Sequence, residues 1–145
     1  MKDKIELRFK KMHDDAKLPT RNNEADTGYD IYCIEDKVIP AGESSVVATG
    51  VDVAHIEEGY WFKIEARSGL GFKYSIQPHF GIIDEPYRGN TGIKLYNLSN
   101  KEYKVNKGDR IAQLVVYKRI DAVNSWSDFK TETSRDEKGF GSSGR

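Results

Sequence analysis

The chain has 145 residues, 23 of them basic and 23 acidic, with a single cysteine. That length suits one domain, and 37 % hydrophobic residues with 11 % aromatics can supply a core, which excludes disorder along the whole chain. A formal net charge of zero removes the basic excess that nucleic-acid backbones and anionic membranes select, and one cysteine, Cys33, excludes an intramolecular disulfide and a thiolate-rich metal site.

The opening MKDKIELRFKK lacks the apolar run of a secretory signal. No stretch approaches the apolar length that spans a bilayer. The expectation is a soluble protein of the cytoplasm or another reducing compartment, binding neither nucleic acid nor membrane.

In chain order, Ile5, Leu7 and Phe9 alternate with charged residues, the pattern of a half-buried strand. Residues 13–28 are polar and contain Pro19 and Gly28, so they form loop. Short apolar runs follow at 29–34 and 38–39. Val46 and Val47 are separated from Val51 and Val53 by a break at Gly50. The run 60–66 is aromatic and β-branched. Gly69 and Gly71 open a short segment ending at Pro78. Further strands are expected at 80–83, around Ile93 and Leu95, and at 111–117, the longest apolar run. Strict alternation there puts Ile111 with Gln113 on one side and Ala112 with Leu114 on the other. Turn-forming residues about every ten positions predict an all-β jelly-roll-like sandwich or barrel rather than βα units. Val123, Trp126 and Phe129 recur every third residue, which fits a short helix or a docked extended segment equally. Trp61 and Trp126 are expected to pack. The domain is expected over 1–129, and the Gly/Ser-rich 130–145 reads as a flexible arm.

Four segments are richer in Gly, Arg, Asp and Ser than packing requires. Ala66-Arg67-Ser68-Gly69-Leu70-Gly71 follows a strand and offers backbone donors and a guanidinium fork suited to phosphate. The same residues also suit a plain turn, and no Walker loop or complete GxGxxG is present. In Gly81-Ile82-Ile83-Asp84-Glu85-Pro86-Tyr87-Arg88-Gly89, Asp84 can orient water or simply cap a turn. Gly108-Asp109-Arg110-Ile111-Ala112-Gln113-Leu114 places a glutamine inside an apolar strand, where it needs partners if buried. Residues 135–145 set Phe140 between glycines, as a lid over a planar ligand or as a loose end. His13, His55 and His79 show no ligand spacing, and Cys33 reads as a small buried hydrophobe.

Together with Ala25-Asp26-Thr27-Gly28-Tyr29-Asp30-Ile31, these segments stand in the order and spacing of five motifs, and the chain resembles the trimeric dUTPases over nearly its whole length. The resemblance implies a homotrimer with shared active sites. It also implies magnesium-assisted hydrolysis of dUTP to dUMP and diphosphate, which keeps uracil out of DNA and supplies dUMP for dTMP synthesis. Asp84 resembles the catalytic aspartate that orients water toward the α-phosphorus. Tyr87 resembles the ring against deoxyribose that leaves no room for a 2′-hydroxyl. The segment from Gln77 through Ile82 and Ile83, with Gly92, would contact the nucleoside. Arg67, Ser68 and Gly69 resemble the phosphate cradle, with Gln113 near the α-phosphate. Arg135 would reach the γ-phosphate, and Phe140, Gly141 and Ser142 would close over the base. Asp30 resembles the acidic residue near magnesium, acting through water, and Arg110 an anchoring or orienting residue.

The chain departs from the family pattern at Ala66, Pro86, Pro78-His79-Phe80, Asp136 and Lys138, without losing any of these groups. The runner-up, dCTP deaminase, shares the fold, but its second motif resembles Arg-Ser-Ser rather than Arg-Ser-Gly. A third reading is a dUTPase-like binding partner of a regulatory protein. Retention of Asp84, Tyr87, Arg67 and Gln113 argues against loss of activity but leaves an added regulatory role open.

Overall fold

A computed structural model describes residues 4–139. Among them are eleven strands and one helix. The strands are β1 (Leu7–Lys11), β2 (Tyr29–Tyr32), β3 (Lys37–Ile39), β4 (Ser44–Val47), β5 (Val51–Ile56) and β6 (Tyr60–Glu65), followed by β7 (Ile76–Pro78), β8 (Gly81–Ile83), β9 (Ile93–Asn97), β10 (Tyr103–Val105) and β11 (Arg110–Lys118). The helix, α1, spans Ser68–Tyr74.

The strands pair antiparallel in four small sheets, ordered β2-β11-β6-β8, β4-β9-β7, β1-β5 and β10-β3. Inward residues from all four sheets meet in one cluster that includes Ile39, Val47, Phe62, Ile76, Leu95, Val105 and Leu114. This is the all-β fold expected from the strand spacing, with β11 the longest strand and central in its sheet. No helix among the described residues is long and apolar enough to cross a membrane.

Several expectations need correcting. The segment from Ser68, read as a plain turn or a phosphate-binding one, forms the seven-residue helix α1. It has two glycines, no capping side chain and no buried residue, so it lacks the apolar stripe by which a helix is read. Its C-cap, Ser75, takes a left-handed φ of 57°. In β11 a register shift between Arg110 and Ala112 makes Ile111 the extra residue of a bulge. Strict alternation therefore fails: Ile111 and Ala112 are both buried, and Gln113 is half-buried. Residues 122–127 are neither helix nor strand. Trp126 does not pack on its own chain; it is fully exposed, as is Val123, and Phe129 is largely so. Trp61 does pack, stacking on Tyr117 with ring centroids 4.8 Å apart.

Among the described residues one buried side-chain oxygen, Gln77 Oε1, has no hydrogen-bond partner; the other buried polar side chains are satisfied. Asn97, fully buried, donates to the carbonyls of Ile39 and Lys101 at 2.9 Å each and accepts from the Ser99 N–H and Oγ–H. Cys33 is buried and donates Sγ–H to the Asn106 carbonyl, and burial pushes its thiol pKa up.

Candidate active site

One end of the four-stranded sheet gathers a charged cluster. Antiparallel pairing sets Gln113 of β11 beside Asp30 of β2 and beside Glu65 of β6, one residue before the Ala66-Arg67 extension. Arg67 Nε donates to Asp30 Oδ1 at 2.9 Å, and Arg110 Nη1 stands 3.7 Å from Asp30 Oδ2. Arg67 Nη1 also donates to the Arg110 carbonyl at 3.4 Å. Gln113 Nε2 donates to the Ala66 carbonyl at 2.7 Å, while its Oε1 lies so close to Gly28 that any Cβ there would collide with it. Ser68 and Gly69 form the first turn of α1, and the space beside Gly69 is open. A cleft of about 320 Å³ borders Arg67 and Arg110, with Tyr103 and Asp109 on its wall.

The second group sits elsewhere. Asp84, Tyr87, Ile82, Ile83 and Gly92 line a separate cleft of about 400 Å³, with His79 and Lys94 opposite. The Asp84 carboxylate is exposed beyond the end of β8. A turn follows, closed by the Tyr87 N–H donating to the Asp84 carbonyl at 3.0 Å. The Tyr87 hydroxyl donates to the Asn90 carbonyl at 2.8 Å, folding the ring over Gly89, where a Cβ would strike it. The Asn90 side chain accepts the Gly92 N–H at 2.8 Å. β8 is the edge strand of its sheet, so one row of its backbone groups has no ladder partner and is available to a base edge.

The two groups lie at opposite ends of the β6–β8 pair. Phe62 pairs with Ile83 and Ile64 with Gly81, and continuing that register puts Asp84 beside Trp61. β6 ends at Glu65, and Arg67 lies two residues beyond it, in extended conformation and six positions from Trp61, roughly 20 Å of chain at about 3.3 Å per residue. Arg135 is exposed and donates to the Lys138 carbonyl within a local turn, apart from both clefts. In that turn Asp136 adopts φ 47°. Phe140, Gly141 and Ser142 lie outside the described residues.

For magnesium, the described residues hold no group of three or more His, Cys, Asp or Glu able to cage a metal. Asp30 has both oxygens facing guanidinium groups, which suits it to an outer-shell role rather than to a bare ion. Magnesium usually keeps several waters and binds through substrate phosphates, so the residues present fit that mode.

Sequence reasoning missed Asn90, which carries both the Tyr87 ring and Gly92, and the Glu85–Arg119 pair, in which Glu85 Oε1 lies 2.7 Å from Arg119 Nη1. An asparagine amid turn residues gives no signal, and a pair 34 positions apart becomes visible only once β11 is placed.

Comparison with known proteins identifies the family. The dUTPase family model matches residues 14–144. The human mitochondrial deoxyuridine 5'-triphosphate nucleotidohydrolase is 39 % identical over 97 % of this chain, and the match spans 56 % of that protein's length. The Staphylococcus bacteriophage 80alpha dUTPase, solved with dUPNHPP, superposes with a TM-score of 0.85 at 32 % identity, covering 97 % of this chain and 99 % of that one. A mutant dUTPase from phage phi11 of S. aureus, described as coordinating a structural Mg(II) ion, gives 0.79 at 27 % identity over 88 % and 99 %. The chain belongs to the dUTPase family.

Proposed function

We propose that the chain hydrolyses dUTP to dUMP and diphosphate at sites shared between copies, Asp84 and Tyr87 coming from one copy and the Asp30–Arg67–Arg110–Gln113 cluster from a neighbour. What carries the sharing is the β6–β8 register, which sets Asp84 beside Trp61 and so leaves roughly 20 Å of extended chain between it and Arg67. A catalytic aspartate and the phosphate ligands of one nucleotide must lie closer than that, and assembly of copies brings them together.

Within such a site, the uracil lies along the open edge of β8, and Ile82, Ile83 and Gly92 line its cleft. Tyr87 packs on the deoxyribose. A 2′-hydroxyl there would clash or lose its hydrogen bonds to water. Asp84 accepts a hydrogen bond from a water and aims its oxygen at the α-phosphorus. The new P–O bond forms as the bond to the bridging oxygen breaks, the proton of the attacking water passes through Asp84 to solvent, and diphosphate leaves with the electron pair of the broken bond. Such a transfer depends on position and charge neutralisation more than on covalent chemistry. Arg67 holds its guanidinium in the plane set by Asp30, so it presents remaining N–H groups to phosphate without reorganising. Gln113, clamped by Ala66 and Gly28, adds a neutral donor. Bound magnesium supplies charge neutralisation on the phosphates, with Asp30 in its outer shell. Arg135 meets the γ-phosphate, and Phe140, Gly141 and Ser142 close the base side from the arm.

The natural assembly is the homotrimer. Exposed Ile120, Val123, Trp126 and Phe129 on the chain leaving β11 suit burial against another copy. So does the groove of about 530 Å³, where Ile5, Leu7, Phe9 and Val116 lie beside the polar Lys4 and Arg21.

Mixing two inactive variants tests the sharing. Asp84→Asn and Arg67→Ala proteins, dissociated together and reassembled at equal amounts, should regain about one quarter of wild-type turnover, because one interface in four then joins two intact halves. No recovery in verified mixed assemblies would place both groups in one chain's site. Each refolded alone should stay inactive.

A further inference from the structure

Behind the Asp84 turn is an ion-pair cluster that the mechanism above leaves unused. Asp84 is exposed at the cleft where the turn opens, and the next residue, Glu85, lies within the turn and is half-buried. Glu85 Oε1 accepts the Gly59 N–H at 2.7 Å and the Arg119 Nη1–H at 2.7 Å. Gly59 sits in the β5–β6 turn at φ 89°. Arg119 is the first residue after β11, where the chain sets off toward the arm. Its own N–H donates to the Gly59 carbonyl at 2.8 Å, and its Nε to Asp121 at 3.1 Å. Three segments far apart in sequence thus meet at one carboxylate oxygen.

The turn keeps its own shape by other bonds. The Tyr87 N–H closes it on the Asp84 carbonyl, and Arg88 Nη1 donates to the Glu85 and Tyr87 carbonyls at 2.6 and 2.8 Å. What Glu85 adds is an attachment of that shaped turn to the β5–β6 turn and to the chain where it leaves β11. The Gly59 N–H, and then the Arg119 guanidinium, holds the Glu85 carboxyl below the usual carboxylate range. The pair is therefore charged at neutral pH and is lost only as pH falls through that lowered value.

We propose that Glu85 is a positioning residue of the diphosphatase: clamped by the Gly59 N–H and Arg119, it fixes the direction in which Asp84 offers its carboxylate to water and ties the chain leaving β11 to the same turn. This rests on the reading of Asp84 as the catalytic aspartate.

The test is steady-state dUTP hydrolysis with melting curves on the assembled wild-type enzyme and on Glu85→Ala, Glu85→Gln, Arg119→Ala and the Ala/Ala double variant. Asp84→Asn serves as the reference for the mechanism, and Glu58→Gln, an exposed charge removed from the neighbouring turn, as the control. E85A should lose about tenfold to a hundredfold in kcat, the scale of a small misplacement of a reacting group, with KM within about threefold of wild type. R119A should fall in the same direction. The double variant should be no worse than the weaker single, since both break one clamp. E85Q, which keeps an oxygen for both donors, should recover most of the lost kcat, and E58Q should match wild type. E85A within about twofold of wild-type kcat would overturn the proposal. So would losses that multiply in the double variant, or a kcat loss in E85Q as large as in E85A. If E85A does not fold, R119A and E85Q decide by the same criteria. If D84N itself turns over normally, the assignment of Asp84 fails first, and the two failures are distinguishable.

Discussion

At the scale of single residues, the site works by close approach and by fixed partners. Gly28 is glycine because the Gln113 amide occupies the space of its missing side chain. Gly89 has the same relation to the Tyr87 ring. The ring is pinned by its hydroxyl on the Asn90 carbonyl, so it is a preformed wall rather than a swinging one. Replacing Tyr87 by Ala should lower the preference for dUTP over UTP by about one to two orders of magnitude, the range in which a site discriminates one hydroxyl. Competition assays with both nucleotides would read this, and an unchanged ratio would assign discrimination elsewhere. Cys33 is inert by the same kind of local argument. It is buried, its thiol is bonded to the Asn106 carbonyl, and its pKa is raised by burial. The native protein should react with a thiol reagent far more slowly than the same protein in denaturant. Asp84, Arg67, Asp30 and Gln113 could be picked out in the sequence because each sits in a local motif with a chemical purpose. Glu85 and Arg119 could not, since ordinary charged residues gain meaning only from a partner that folding brings close.

At the scale of elements, the legible parts were those with a strong period. β1, β6 and β11 carry alternating or continuous apolar runs, and they form where those runs predict. α1 has neither apolar face nor cap; it forms because the chain between β6 and β7 must turn there, with Gly71 packed against Gln77. β7 and β10 have three residues each, too short for a period. β9 ends in Asn97, whose sequence neighbours read as a turn. The structure shows a buried amide joining that turn to β3 and to Lys101. Asn97→Leu should cost about 2–4 kcal/mol, because it leaves at least two buried or half-buried partners without a bond. Chemical denaturation would measure it, and a loss under about 0.5 kcal/mol would mean that water replaces the amide. Segment 122–129 teaches a related lesson. Three apolar residues at helical spacing do not make a helix when no surface of their own chain faces them, and they remain extended and exposed.

At the scale of the whole molecule, zero net charge and an anionic triphosphate are compatible because the positive groups are concentrated. Arg67 and Arg110 converge on Asp30 in one small region, while the rest of the surface mixes both signs. Chelation by EDTA should reduce dUTP turnover yet leave the melting temperature unchanged, since the described residues contain no cluster of carboxylate, imidazole and thiolate ligands whose stability depends on a metal. A large drop in melting temperature would reveal a structural ion.

The separation of Asp84 from Arg67 along β6 also has a consequence for how activity responds to supply. If the sites are shared as proposed, a chain alone holds two halves that belong to different sites, so a freshly made or diluted copy contributes nothing until it meets its neighbours. Turnover per molecule should then fall steeply below the assembly concentration and stay flat above it, giving a threshold in expression level rather than a proportional response. Progress curves after serial dilution would show a lag on returning to high concentration, set by encounter of copies and absent when pre-assembled enzyme is used.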